Sequence, residues 1–280
     1  MKKTIIILTL ITVFTVVLVG CGAGVGFGGE VQRIEKAGEE SMELAVPSSL
    51  DSLNVTNVTG NISIYKTNVQ KIKVKLLKKA AGFEVNDVER VLKQAKIGSQ
   101  VSNGKIDISV VTDAGKGDFW DWKSNNYSRI TASMELLIEI PRDLKKYTVN
   151  NVTGDVYLEG LSGSIQVEET TGNISLANST LMADNSIRLI TGDIDIDAQL
   201  DNMESLNVEN TTGNVSMKIP SNSKISLDAR VTTGIIGGNF DGMDPEKQGT
   251  GGVSVSKELN GGGKKVSMHT VTGCVYLNKK

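Results

Sequence analysis

Residues 149–158, with the sequence VNNVTGDVYL, contain the pattern that decides the fold. The pattern centres on a Thr-Gly pair, with an aliphatic residue four positions before the threonine and others three and five positions after it. The pair occurs seven times with these flanks, except that Gly238 replaces the last aliphatic residue after Thr233; the threonines are Thr59, Thr153, Thr171, Thr191, Thr212, Thr233 and Thr272. From Thr153 onward the spacings are 18, 20, 21, 21 and 39 residues, the last being about two periods. The chain is therefore a repeat protein.

Apolar and polar residues alternate on both sides of each Thr-Gly pair, which is typical of two short strands with one buried face. Glycine suits the corner between them because it lacks a Cβ and tolerates a positive φ. In five copies the next residue is Asn or Asp, whose side chain can bond local backbone at a corner. These are Asn61, Asp155, Asn173, Asp193 and Asn214.

One repeat of about 20 residues cannot bury its apolar face alone, whereas a stack of repeats encloses a continuous aliphatic interior. The repeats therefore predict an all-β fold, with a β-solenoid-like stack over residues 147–280. An antiparallel two-sheet sandwich built from the same units remains an alternative, because the period alone does not fix strand direction.

Residues 30–146 differ from the rest and predict a β-rich cap over the open end of the stack. Alternation predicts strands over 69–77, 105–111 and 128–140. Between the first two, apolar residues at helical spacing predict one helix over 85–95, with Asn86 or Asp87 as its N-cap.

The amino terminus reads as a targeting segment. Two lysines precede an apolar run over 5–19 that is short for a membrane span. It ends in residues 18–21 (LVGC), which resemble the lipobox of bacterial lipoproteins. We therefore predict a signal peptide over 1–20, a lipid on Cys21, and a glycine-rich tether over 21–29. The predicted location is extracytoplasmic, anchored to the cell membrane.

Composition excludes several classes of function. A formal net charge of −2 argues against nucleic-acid binding. With Cys21 lipidated, Cys274 has no disulfide partner. The single histidine, His269, has no nucleophile beside it in the sequence, which argues for an exposed strand residue and against a catalytic one. No enzyme activity and no cofactor are predicted.

The lipoprotein start, the lone helix and the serial Thr-Gly-Asn/Asp units together resemble the "putative adhesin" family of bacterial cell-envelope proteins. The resemblance covers most of residues 45–280 and implies stacked β repeats, a domain of largely unknown function, and no catalytic residues. The chain departs from the motif at Ile235 and Cys274, where Asn or Asp is expected.

Two segments are candidate interaction sites. Phe119, Trp120, Trp122 and Tyr127 cluster in a polar segment read as a loop, where they could contact a glycan, a protein or the membrane interface, or fold back onto the core. Lys71, Lys73 and Lys75 alternate along one strand face, where they could meet anionic polymers or lipids, or protect a sheet edge.

Asp193, Asp195 and Asp197 form a row of carboxylates that is a weak candidate for calcium. A straight row does not converge on one ion, and Lys218 is expected at the level of Asp197 on the next repeat. A solvated face is therefore the preferred interpretation, and no metal site is predicted.

These features predict a non-catalytic, membrane-anchored protein that presents a rigid repeat surface to an envelope protein or glycan. Two alternatives stay open: an accessory or sensor protein for envelope stress that binds a membrane partner, and a carbohydrate-active enzyme on a β-helix.

Overall fold

The computed structural model describes residues 32–113, 117–141, 143–240, 243, 246–247 and 252–280. Strands account for 64% of the structure, and two helices complete it. The predicted signal peptide, the predicted lipid site at Cys21 and the predicted tether lie outside the described residues. None of the helices within these ranges is long and apolar enough to cross a membrane.

The elements follow in chain order. They are β1 (Ile34–Leu44), β2 (Ser52–Thr56), β3 (Ile62–Lys66), β4 (Ile72–Gly82), α1 (Val85–Gln94), β5 (Lys96–Ser102), β6 (Lys105–Val111), α2 (Phe119–Asn126), β7 (Thr131–Ile140), β8 (Lys146–Thr153), β9 (Val156–Glu159), β10 (Ser162–Thr171), β11 (Ile174–Leu181), β12 (Ala183–Thr191), β13 (Ile194–Gln199), β14 (Met203–Thr212), β15 (Val215–Ile219), β16 (Ile225–Thr233), β17 (Ile236–Gly238), β18 (Glu246–Lys247), β19 (Val253–Leu259), β20 (Lys264–Thr272) and β21 (Val275–Lys279).

Each Thr-Gly pair joins two strands, and we call the two strands together a rung. The strand before the pair joins sheet B and the strand after it joins sheet A. Equivalent residues of neighbouring rungs face each other in parallel, as Val167 faces both Val149 and Ile187. Among the described residues all pairs between rungs are parallel, so the antiparallel sandwich alternative is wrong.

The rungs do not stack in the order of the sequence. Strands β20 and β21, the last in the chain, lie between β14/β15 on one side and β16/β17 on the other. The chain reaches this position through β19, which pairs with β16 in the antiparallel direction. The 39-residue interval thus contains a return strand, and the final rung is inserted into the stack.

Glycine at the corner is required by the closeness of the rungs. All seven corner glycines have a positive φ, between 127° and 148°. A Cβ on Gly172 would lie 1.7 Å from the carbonyl oxygen of Gly154 in the neighbouring rung. A Cβ at that distance forces the neighbouring backbone to move, so alanine at this position is destabilising.

The Asn and Asp residues after the glycines connect one rung to the next. The Oδ1 of Asn173 accepts a hydrogen bond from the Asp193 amide at 3.0 Å, and the Oδ1 of Asp193 accepts one from the Asn214 amide at 2.7 Å. Asn61, Asp155 and Asn214 make the same bond to their neighbours. The expected local backbone bond is therefore replaced by a bond between rungs.

The aliphatic positions form the interior. The residues four positions before the threonines have no exposed surface; they are Val55, Val149, Val167, Ile187, Val208, Ala229 and Met268. Their neighbours from sheet A, such as Ile174 and Val215, are equally buried. At about 0.8 kcal/mol for each buried methylene, this column contributes to stability along the whole stack.

The amino-terminal part extends the same two sheets. The rung at Thr59 pairs with the rung at Thr153 through β2–β8 and β3–β9, so both sheets continue across residue 146. Strands β1, β4 and β7 then add antiparallel pairs to sheet A. Helix α1 lies where a helix was predicted, but its N-cap is Glu84, which makes no side-chain cap bond.

Candidate functional site

A groove of about 770 Å³ runs across six neighbouring strands of sheet B, from β8 to β16, just before the Thr-Gly corners. We call it the corner groove. It is lined by the three residues that precede the threonine on most of these strands. Because neighbouring strands lie about 4.8 Å apart, the groove is about 24 Å long.

A row of charged side chains forms one wall of the corner groove. Glu168, Arg188, Glu209, His269 and Arg230 face one another in register, three positions before each threonine. Arg188 lies between two carboxylates, with its Nε 3.1 Å from Glu209 and its Nη1 3.8 Å from Glu168. The charge of the wall therefore alternates from Glu168 through Arg188 to Glu209.

The opposite wall consists of β-branched residues directly before the threonines. Ile190 is 52% exposed and Val271 is 48% exposed, with Thr170, Thr211 and Thr232 between and beside them. An exposed aliphatic residue on an ordered strand is unremarkable alone, but here they recur along one line. This rim gives the groove an apolar side facing its charged side.

Below the floor lies a column of buried polar side chains two positions before the threonines. Asn57, Asn151, Asn210 and Thr270 each donate a hydrogen bond to a corner glycine carbonyl, at 3.3, 3.2, 2.9 and 3.1 Å respectively. Corner carbonyls have no strand partner, and buried carbonyls require a donor. The column therefore completes the backbone hydrogen bonding of the corners.

Glu169 is the titratable member of this column and is only 5% exposed. Burial is the main reason that the pKa of its carboxyl rises from 4.5 to about 8. The hydrogen bond from Asn151 lowers this pKa, and the charge of Asp155 raises it by a smaller amount. Asn151 Nδ2 donates to Glu169 Oε1 at 3.1 Å, while Oε2 is buried with no partner. At neutral pH this carboxyl is thus mainly protonated.

His269 lies in the charged wall beside a serine and an aspartate, a combination that resembles a catalytic triad. Its Nε2 lies 3.2 Å from Ser267 Oγ and 3.7 Å from Asp228 Oδ2. In a triad the acid holds one ring nitrogen and the nucleophile contacts the other. Because both groups approach the same nitrogen, this geometry does not support proton relay to Ser267.

The predicted aromatic loop is a helix, so that interpretation is wrong. Residues Phe119–Asn126 form α2, whose N-cap Asp118 accepts a bond from the Asp121 amide at 2.9 Å. Phe119 has no exposed surface, and Trp120 and Trp122 pack partly buried against the core. Trp120 Nε1 also donates to Asn57 Oδ1 at 3.2 Å, which joins the helix to the buried polar column.

Tyr127 ends the aromatic cluster and fixes it to α1. Its ring lies 5.2 Å from the ring of Trp122, and its hydroxyl accepts a bond from Arg90 at 3.0 Å. These contacts favour packing onto the core over the open binding loop that was the other possibility.

The lysine stripe lies on β4, which pairs with β1 on one side and β7 on the other. Edge protection is therefore the wrong explanation for it. Lys71 pairs with Glu43 at 3.0 Å and Lys75 with Glu39 at 2.8 Å, while Lys73 faces Glu139 on β7. Acidic neighbours balance the stripe.

The aspartate row is divided between two structural roles. Asp193 belongs to the bonds between rungs, whereas Asp195 and Asp197 lie on β13. Asp197 faces Lys218 on β15, as expected, and its carboxylate contacts the Lys280 ammonium. Within the described ranges, no three His, Cys, Asp or Glu side chains are grouped to hold a metal ion.

The sequence pattern of the Toastrack DUF4097 family matches residues 22–278. The chain belongs to this family. None of the curated proteins compared with it matches.

Among solved structures, the Toastrack chain is similar to a "putative cell adhesion protein" from Clostridium sporogenes, at 14% identity over 86% of this chain and 99% of that chain, with a TM-score of 0.44. It is also similar to a "putative adhesin" from Bacteroides fragilis, at 12% identity over 91% and 100% of the two chains, with a TM-score of 0.31. A "putative lipid binding protein" from Parabacteroides distasonis matches at 12% identity over 87% and 96%, with a TM-score of 0.29.

Sequence reasoning missed the corner groove of the Toastrack chain. The signal was present two positions before the threonines, where Asn57, Asn151, Glu169, Asn210 and Thr270 occupy an inward position of the strand. Polar residues at an inward position of an alternating strand indicate a buried hydrogen-bonding requirement. The charged row and the β-branched rim follow from the same register.

Proposed function

We propose that this chain is a non-catalytic, lipid-anchored extracytoplasmic protein whose rungs form a β-solenoid that binds an extended partner along the corner groove. The anchor is supported by the lipobox-like residues 18–21 and the predicted lipid site at Cys21. The solenoid is supported by seven rungs in parallel register.

The observation that carries the proposal is the continuity of the groove over six strands. Its charged wall and its apolar rim repeat at the spacing of the strands, so a linear partner can make the same kind of contact at each step. A compact ligand would use only part of this length.

An extended polypeptide segment of an envelope protein fits these walls best. Such a segment carries alternating charged and aliphatic side chains that can pair with Arg188 and Glu209 and pack on Ile190 and Val271. None of the described residues that line the corner groove is Phe, Tyr or Trp, and these side chains are a frequent platform for sugar rings, so a glycan fits less well.

A binding role also agrees with the position of the buried carboxyl. Glu169 Oε2 is fully covered, so it does not reach a substrate placed in the groove. The carboxyls on the charged wall, Glu168 and Glu209, are both engaged by Arg188. The groove therefore offers paired charges that can take part in recognition.

The test uses photo-cross-linking in cells that express the full chain. A cross-linking amino acid replaces Ile190 on the rim or, as a matched control, Ser175 on sheet A. We expect a discrete adduct from position 190 that disappears when Arg188→Glu is added, and no such adduct from position 175. Protease digestion should reduce the cross-linked partner to a peptide. If glycan-cleaving enzymes remove the cross-linked partner instead, the partner is a glycan. Equal adducts from both positions would refute binding at the groove.

A further inference from the structure

The register of the first strands shows where the chain enters the folded body. Ile34 of β1 faces Gly82 of β4, and Ala81 of β4 faces Thr131 of β7. Gln32 and Arg33 therefore lie next to the connection between β4 and α1. Only residues 21–31 separate the predicted lipid site from this point, a length that extends to at most about 40 Å.

The same end exposes two apolar side chains. Phe83 is 54% exposed and Val85 is 41% exposed, one on each side of Glu84. Both lie directly after the strand that pairs with β1. Two exposed arginines accompany them, Arg33, whose guanidinium contacts Thr131 Oγ1, and Arg129, which precedes β7. Two exposed carboxylates, Glu35 and Glu84, lie at the same end.

We propose that this end, formed by Arg33, Phe83, Val85 and Arg129, rests on the membrane leaflet that carries the lipid of Cys21; the inference depends on the proposed lipid anchor. Aromatic and aliphatic side chains enter the headgroup boundary, while arginines stay at its surface and attract anionic lipids. The end face carries both kinds of side chain together.

The small size of the patch favours a bilayer over a protein partner. A stable protein interface takes about 20–30 residues from each side, far more than this end offers. A covalent anchor changes the requirement, because it keeps the end face at a high effective concentration near the lipid and lets a weak contact persist. A bilayer also accepts an apolar pair without matching its shape.

The contact sets the orientation of the molecule. The end face lies at the starts of β1, β7 and α1 and at the end of β4, whereas the corner groove crosses sheet B between β8 and β16. The membrane contact and the corner groove therefore use different residues of the chain.

The test uses the full lipidated protein on vesicles of phosphatidylcholine and phosphatidylglycerol. Flotation of the vesicles, with Cys21→Ser as control, reports the anchor. Amide hydrogen exchange over 82–86 and 128–131 reports the contact, with residues 234–238 at the other end of sheet A as reference. We expect several-fold slower exchange over the first two segments on vesicles than in lipid-free micelles, and no change in the reference.

Substitution of the two apolar residues separates the contact from the anchor. With Phe83→Ser and Val85→Ser the protein should still float, and the extra protection should disappear. Val101→Ser, a change at an exposed valine of β5, should keep it. If the wild-type protein floats without the extra protection, or if the protection survives the double substitution, the contact is overturned and the anchor stands. If the wild-type protein does not float, both the anchor and this orientation are overturned.

Discussion

Glu169→Gln tests whether a buried proton stabilises the stack. Asn151 and Asn210, in the same column, donate amide hydrogens to glycine carbonyls, and a carboxyl can replace them only when it carries a proton. Glutamine has the shape of glutamic acid and a permanent N–H donor. The substitution therefore keeps the donor while removing the titration.

The sign of the effect follows from the two pKa values of Glu169. In the folded protein burial raises the pKa to about 8, whereas the ordinary value is 4.5. Folded molecules therefore hold the proton between these values while unfolded molecules release it. The stabilising contribution is complete below about pH 4.5 and is lost as the pH rises through 8.

The magnitude is set by the distance between the two pKa values of Glu169. At about 1.4 kcal/mol for each pH unit, the difference between 4.5 and about 8 gives an upper limit of about 5 kcal/mol. Relative to wild type, Glu169→Gln should thus be close to neutral at pH 4.5 and more stable by roughly 3–5 kcal/mol at pH 9.

Urea unfolding of both proteins between pH 4.5 and pH 9 measures this difference. The control is Glu168→Gln, one position away on the exposed wall, which should leave the pH dependence of wild type almost unchanged. If the free energies of unfolding of wild type and Glu169→Gln remain parallel from pH 4.5 to pH 9, the carboxyl is ionised in the folded state and the burial argument is wrong.

Three further predictions concern stability. Gly172→Ala should lower the free energy of unfolding by roughly 2–4 kcal/mol because its Cβ meets the Gly154 carbonyl, whereas Gly261→Ala, with open space around it, should cost about 1 kcal/mol; urea titration distinguishes them. Replacing Trp120 and Trp122 by alanine should cost about 3 kcal/mol or more by the same assay, and wild-type emission should be blue-shifted and protected from iodide, whereas water-like emission would restore the binding loop. Deleting residues 260–280 should abolish cooperative thermal unfolding, because β20 and β21 connect rungs on both sides, and a single sharp transition would contradict the inserted order.

The strands were predictable because apolar and polar residues alternate both before and after each corner glycine. The order of the rungs was not, because every rung offers the same parallel edge. Strand β14 could pair with β16 as well as with β20, since Ala229 and Met268 occupy equivalent positions. The antiparallel return through β19 accompanies the insertion of β20 between β14 and β16.

The misread segments share a different cause. Alternating lysines predict an outward strand face but carry no information on neighbouring strands. Edge protection was therefore one of the two interpretations of the stripe, although acidic residues of β1 and β7 lie beside β4. Helix α2 has only eight residues, and one pair at helical spacing, Phe119 and Trp122, is too short a pattern to predict a helix. Its stability comes from the Asp118 cap and from packing against the core.

The division between constant and variable columns also explains why the corner groove is the surface to test. The corner glycine recurs because a Cβ would meet the carbonyl of the neighbouring rung, and the following Asn or Asp recurs because its side chain bonds the next rung. The outward columns one and three positions before the threonine vary in residue type, and their contacts between rungs include the ion pairs of Arg188 with Glu168 and Glu209. The first of these columns contains residues as different as Val271 and Thr211, and the second contains both Glu168 and Arg188, within the same regular stack. Residues in these two columns can therefore determine which partner binds, and the two columns are the two walls of the groove.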